Sequence, residues 1–397
     1  MAADARELDG NNRSARALLY NPALRGFFYQ ALTLVILGWL IYQAWTNAAE
    51  NLARANMTAG FGFLSGRAGF DLGQHIIDYS SDSSYLRALQ VGLINTLIVA
   101  FVGIITATIV GVLVGIGRLS HNWLIAKLSL IYVEVFRNIP PLLVIFFWYI
   151  GVLAALPDVK KSLSLPFSTF LSNRGIYVPT PVAGEGFNLV WIAFAVAIVA
   201  AIVFARWAKA KQMATGKQYP VIIINTAVII GLPLVVFLAL GAPLTFNYPV
   251  LGKFNMQGGS VIGPEFTALY LALSFYTASF IAEIVRAGIR GVTKGQSEAA
   301  AALGVGPGLT MRLVVLPQAL RIIIPPLTSQ YLNLTKNSSL AVAVGYADLV
   351  AVGGTILNQT GHSIEIISIW MVIYVSISLI TSLFMNWFNA KMALVER

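Results

Sequence analysis

The residues able to do chemistry in this 397-residue chain are polar side chains set inside long apolar runs. Between Phe266 and Val285, Tyr276, Ser279 and Glu283 recur three and four apart, so a helix carries them on one face. Between Arg321 and Leu340, Ser329, Asn333, Lys336, Asn337, Ser338 and Ser339 accompany Pro325-Pro326. A polar, proline-interrupted segment is stable in a bilayer only against protein or a water-filled cavity. Hydroxyls, amides and one carboxylate in such places can recognise a polar solute by hydrogen bonding, although Glu283 with Arg286 and Arg290 could equally close the cytoplasmic end electrostatically. Other chemistry is excluded. With no Cys there are no disulfides, thiolate metal sites or Cys nucleophiles. His75, His121 and His362 lie far apart in sequence and have no metal-binding spacing. No G-x-x-x-x-G-K-[ST] loop occurs, so the chain cannot hydrolyse ATP alone.

A second set of residues has the spacing of a contact surface. Ser297 can cap a helix formed by Glu298-Ala-Ala-Ala-Ala-Leu-Gly304, since Ala has the highest helix propensity and Gly304 supplies the left-handed stop. Gly306-Pro307-Gly308 then forces a turn, and Leu309 to Val315 can form a second short helix before Pro317. Two short helices at an angle would offer small side chains to a partner's groove.

The pattern of Glu298-Ala299-Ala300, Gly304 and, nine residues on, Val314-Val-Leu316-Pro317 resembles the EAA loop of bacterial ABC importer permeases. Glu283-Ile-Val-Arg286, Gly295-Gln-Ser-Glu298, Leu316-Pro-Gln-Ala319, Phe136-Arg-Asn-Ile-Pro140 and Lys336-Asn-Ser-Ser-Leu340 resemble its polar amino-acid uptake branch. The likeness covers Leu86–Leu156 and Phe266–Arg397. It implies docking on ATPases through Glu298, Ala299, Ala300, Gly304, Leu316 and Pro317. The implied partners are two cytoplasmic ABC ATPase subunits, a second permease (identical or homologous) and a periplasmic amino-acid-binding protein. ATP and Mg would be bound by the ATPases, with no cofactor or metal in this chain and no catalytic residue. The implied cargo is an L-amino acid. Members that take charged polar amino acids commonly carry Lys-Asp-Thr-Ser-Leu at 336–340, so Asn337 implies a broad range.

The elements that must position these residues follow from composition. The chain is 57% hydrophobic and only 11% charged, with a mean hydropathy of +0.77, as in a polytopic all-α membrane protein. We expect about eight transmembrane helices, a five-helix permease core with an inserted helical hairpin. The expected divisions are a tail at 1–26, a first span at 27–45, a periplasmic segment at 46–88 and the first core part at 89–156. An insertion with two spans follows at 157–265. The second core part, 266–390, contains the docking loop 291–317, and 391–397 is a tail. Gly103, Ala107, Gly111 and Gly115 form one small-residue row, a face for close helix packing. Residues 341–362 read as re-entrant or interfacial.

The net charge of +10 needs no nucleic acid, because loops on the cytoplasmic side of membrane proteins are rich in Lys and Arg. Such residues cluster at Arg6, Arg13 and Arg16, at Arg118 and Lys127, and at Arg206, Lys209, Lys211 and Lys217. That places both termini and the docking loop in the cytoplasm of a bacterial inner-membrane protein. The alternative class is a secondary transporter or channel with no ATPase. It needs an ion-coupling carboxylate or selectivity ring near the midplane, and Glu283, the one clear candidate, lies near a helix end.

Overall fold

A computed structural model of the chain describes residues 22–54, 60–253 and 255–392. Among these, seven helices are long and apolar enough to cross a membrane, and counting a sharply bent helix pair as one span brings the number to eight. Helix α1 (Pro22–Arg54) overruns the expected first span at both ends, because Asn47-Ala-Ala-Glu50 and the residues after it contain no helix breaker. Its apolar part is Leu24–Ala44, which lies unburied. Most of the expected tail at 1–26 and residues 393–397 lie outside the described residues.

The core is built on α2 (Tyr85–Gly117) and α7 (Pro264–Arg290). Gly103, Ala107, Gly111 and Gly115 are all buried against α7 or its neighbours. A Cβ on Gly111 would lie 2.6 Å from the Ile281 Cβ, and one on Gly115 would lie 2.7 Å from the Ala282 carbonyl oxygen. Only small residues permit this approach, which maximises van der Waals contact where lipid offers no hydrophobic drive.

Between them run α3 (Trp123–Asn138) and α4 (Pro141–Phe146), the latter continued by a π-helical turn over Phe147–Leu153. Their axes meet at 111°. Pro140 cannot donate a backbone hydrogen bond, and it holds Ile139 extended (φ −103°, ψ 132°), so the helix must break there. The sequence placed a basic connection at 118–127. Instead α3 begins at Trp123, with the Asn122 side chain accepting from the backbone of Leu124 (2.9 Å).

The insertion carries α5 (Phe187–Thr215) and α6 (Val221–Ala239), which pack on each other rather than on the core. Its flanks form strands the sequence reading did not anticipate: β1 (Leu163–Leu165), β2 (Thr169–Ser172), β3 (Gly175–Val178) and β4 (Thr180–Ala183) before the helices. After them come β5 (Leu244–Asn247), β6 (Val250–Leu251), β7 (Met256–Gln257) and β8 (Ser260–Ile262). A four-stranded antiparallel sheet runs β1-β2-β3-β8, and β4 pairs with β5.

Beyond α7, α8 (Lys294–Ala302) starts after Thr293 rather than at Ser297, which lies inside the helix. Helix α9 (Pro307–Thr310) passes through a π-helical turn at Met311–Val315 directly into α10 (Leu316–Asn337). Pro317 does not stop it: it directly follows the π-helical turn, where the α-type hydrogen-bond ladder is already displaced, and the helix carries on past its ring. The expected interruption at Pro325-Pro326 is also absent: both rings are exposed and α10 continues past them. The helix yields at Ser338–Val344, a 3₁₀ stretch closed by Gly345 in the left-handed region (φ 76°). Helix α11 (Leu349–Thr360) has 12 residues. At ~1.5 Å per residue it spans about 18 Å, too short to cross. Helix α12 (Ser363–Met392) completes the bundle.

Candidate translocation path and docking surface

The polar residues of α7 divide into two kinds. Ser279 is fully buried and its hydroxyl donates to the Tyr276 carbonyl at 2.6 Å, so it presents nothing to an open surface. Tyr276 is half-buried with its ring against Phe280 (5.1 Å between centroids). Glu283 is clamped by two guanidinium groups, Arg286 on its own helix and Arg118 from the end of α2. Arg286 Nε reaches both Glu283 oxygens at 3.1 Å. The cluster therefore fastens α2 to α7 electrostatically, and Arg118, remote in sequence, was not foreseen as a partner.

On α10, Asn333 and Lys336 are exposed and Asn337 half-buried, as is Ser339 in the 3₁₀ stretch that follows. The Ser338 side chain is buried, donating to the Thr335 carbonyl (2.8 Å), and Ser339 donates to that of Lys336 (2.8 Å). The amides of Asn333 and Asn337, spaced four apart, are thus the accessible polar row of α10. Two hydrogen bonds foreign to an apolar seam tie this region together: Thr106 to Tyr270 (2.7 Å) and Thr108 to Tyr331 (3.0 Å).

The opposite end holds a polar knot around α11. Asn95 Nδ2 donates to the carbonyls of Gln74 (3.0 Å) and Ala347 (2.8 Å). Thr96 accepts from the Leu349 backbone (3.0 Å), and Trp370 Nε1 donates to the Leu349 carbonyl (3.1 Å). Asp348 caps α11 by accepting from Ala351 (2.8 Å), is fully buried, and leaves its second oxygen without a partner among the described residues. Burial pushes its carboxyl up to about 6. The same knot is anchored to the loop before α2 by Glu365, which accepts from the Gly60 backbone at 2.9 Å. A polar Asn95-Thr96 pair opening an apolar run was the one sequence sign of it.

The expected docking loop, 291–317, projects from the far end of the core. Glu298, Ala299, Gly304 and Leu316 are exposed, Pro317 half-buried and Ala300 buried. Gly304 has φ 72° and open space around it, so its conformation rather than crowding demands glycine. Leu303 (82% exposed), Leu309 and Leu313 form an apolar rim, and Gln318 Nε2 reaches Gln296 Oε1 at 3.3 Å, bracing the loop.

Residues 219–394 match the family described as binding-protein-dependent transport system inner membrane component. Over 100% of its length the chain is 64% identical to the general L-amino acid transport system permease protein AapQ of Rhizobium johnstonii, covering 99% of that protein. The chain belongs to this family. As such an inner membrane component, it is an all-α polytopic permease subunit. It is also 49% identical to the putative amino-acid ABC transporter permease protein YhdX of Escherichia coli (95% of this chain, 96% of the relative). The glutamate/glutamine/aspartate/asparagine transport system permease protein BztB of Rhodobacter capsulatus is 43% identical over 96% of both chains. In this family the permease is the non-catalytic subunit.

Proposed function

We propose that this chain forms part of the membrane channel of an ATP-driven importer that moves L-amino acids of broad range from periplasm to cytoplasm. Its partners would be two cytoplasmic ATPase subunits, a second permease subunit, identical or homologous, and a periplasmic amino-acid-binding protein. ATP and Mg would be held by the ATPases and no cofactor by this chain. Both termini and the docking loop would lie in the cytoplasm. The observation that carries this reading is the helical projection α8–α9, whose apolar rim at Leu303, Leu309 and Leu313 is exposed. The names of the relatives supply the substrate class.

The geometry supports a simple coupling. Because α9 runs without a loop into α10, a displacement of the docking loop moves Asn333 and Asn337 with it. Alternation then needs partners that prefer different states, the loaded binding protein outside and the closed ATPase pair inside. Helix α10 would present amide donors and acceptors to the zwitterionic substrate, while the Arg118–Glu283–Arg286 clamp holds the inner ends of α2 and α7 in register. Gly304→Trp tests the coupling. A bulky residue at φ 72° is strained and stands in the docking surface, so binding-protein-stimulated ATP hydrolysis should fall while the chain still inserts. Full stimulation in that variant, or a tagged chain that brings down no ATPase, would count decisively against the reading.

A further inference from the structure

At the end of the core that bears the expected docking loop, α3, α7 and the residue that closes α2 line an open cavity of about 260 Å³. Its walls include Arg118, Lys127, Arg286, Arg290, Trp123 and Leu130. Four cations converge there, and among the described residues the one carboxylate paired with any of them is Glu283, shared between Arg118 and Arg286. Lys127 and Arg290 are exposed and make no ion pair among the described residues. With one carboxylate against four cations, the cavity carries an excess of positive charge that favours an anion there. The planar guanidinium donors of Arg suit the oxygens of a phosphate.

The neighbouring surface of α3 says which phosphate. Trp123, Lys127 and Leu130 follow one row of the helix and line the cavity. Shifted by one residue runs a second row, Leu124, Leu128, Ile131 and Val135, wholly apolar and exposed throughout. Trp123 itself is 74% exposed at the first position of the helix. Tryptophan at the headgroup level, cations beside it and an apolar row alongside are the features of a surface in contact with a charged bilayer leaflet. A free phosphate would satisfy the cations and leave the apolar row without a role.

We propose that this cavity binds the headgroup phosphate of an anionic phospholipid, whose acyl chains lie along the Leu124–Val135 row of α3. The lipid would bridge α3 to the inner end of α7, three residues before the docking helix α8 begins.

Native mass spectrometry of the full chain in detergent, with any co-purifying subunits, tests this. Phosphatidylglycerol and phosphatidylcholine of identical acyl chains are added in turn, and inorganic phosphate is added as a competitor. Phosphatidylglycerol should bind preferentially. Lys127→Gln with Arg290→Gln should weaken it about 25-fold, ~fivefold per cation removed, leaving phosphatidylcholine unaffected. Lys127→Arg should retain binding. If the double variant does not fold, Lys127→Gln alone at its exposed position should give about a fivefold loss. Equal binding of the two lipids, or undiminished phosphatidylglycerol binding in these variants, overturns the proposal. So does displacement by equimolar inorganic phosphate together with indifference to Leu128→Ser and Ile131→Ser, which marks a plain anion site. Loss of all lipid adducts on assembly with an ATPase subunit would assign the cavity to protein and overturn it equally.

Discussion

Asp348 and Asn337 show how much one side chain can decide in a low-dielectric setting. Asp348 serves as helix cap at the cost of burying a carboxyl whose pKa rises from 3.8 to about 6. The folded state therefore holds its proton between about pH 4 and pH 6 while the unfolded chain releases it. The stability this proton confers is full below pH 4 and is lost as pH rises through 6, by about 3 kcal/mol. Asn caps equally well and carries no charge. Asp348→Asn should accordingly unfold at the same or a higher temperature than wild type at pH 7.5 and lose its pH dependence between 4 and 6. A lower midpoint at pH 7.5 would mean that the ionised carboxylate has a compensating partner. Asn337 argues in the other direction: an amide offers donor and acceptor without choosing a sign of charge. Asn337→Asp should shift competition for uptake toward Arg and Lys and away from Glu and Asp by about tenfold, a small part of the energy of a desolvated charge pair. An unchanged profile at equal expression would remove Asn337 from the path. The sequence showed which side chains were polar in apolar surroundings, yet it could not show their partners. Glu283 and Arg118 stand 165 positions apart, and Ser279 shares its helical row with Tyr276 but spends its hydroxyl on a backbone carbonyl.

Helices were legible where hydropathy and small-residue spacing both spoke. The Gly103–Gly115 row is the clearest instance, since the spacing alone implied a packing face and α7 occupies it. Gly111→Leu should push its Cβ into Ile281 and lower stability by about 1–3 kcal/mol. Gly231→Leu on α6, where a Cβ meets nothing within 4 Å, is the matched control, and equal thermal shifts in the two would refute the packing argument. Proline misled in proportion to how locally it was read. Pro325 and Pro326 remove two backbone donors, but their exposed rings let α10 continue, whereas Pro140 ends α3 because Ile139 before it is extended. The strands escaped notice because their runs are two to four residues long, too short for an alternating pattern, and the first turn is unmarked. The β1–β2 turn places Phe167 (φ 61°) and Ser168 (φ 52°) in the left-handed region, where Gly or Asn would have announced it.

For the molecule as a whole, counting the bent α3–α4 pair as one span and leaving out the short α11 gives eight crossings among the described residues, an arrangement in which both ends of the described chain would share a side. Cysteines are clean probes here because the native chain has none. Substituted at Lys209, Lys211 and Glu298 they should resist a membrane-impermeant thiol reagent in intact cells, while at Ser80 and Lys253 they should react. Labelling at position 209 from outside would overturn the arrangement.

The pairing of β3 with β8 marks off most of the insertion, residues 179–259, as a segment that should be removable as a cassette. Val178 and Ser260 face each other directly across two antiparallel strands, one on the way into the insertion and one on the way out. Everything from Pro179 to Gly259, including α5 and α6, leaves and returns through that single doorway. Splicing Val178 to Ser260 through a two-residue Asn-Gly link would turn the doorway into an ordinary β-hairpin, since such a link joins a directly opposed pair without shifting register. The shortened chain should insert with α2, α7 and α10 still packed, seen as undiminished protease protection of the core. Collapse of that protection would show that α5 and α6 are structural members of the permease rather than a module grafted onto its rim. If the cassette does come away cleanly, the same doorway can receive a reporter domain or a different hairpin, and the permease becomes a chassis.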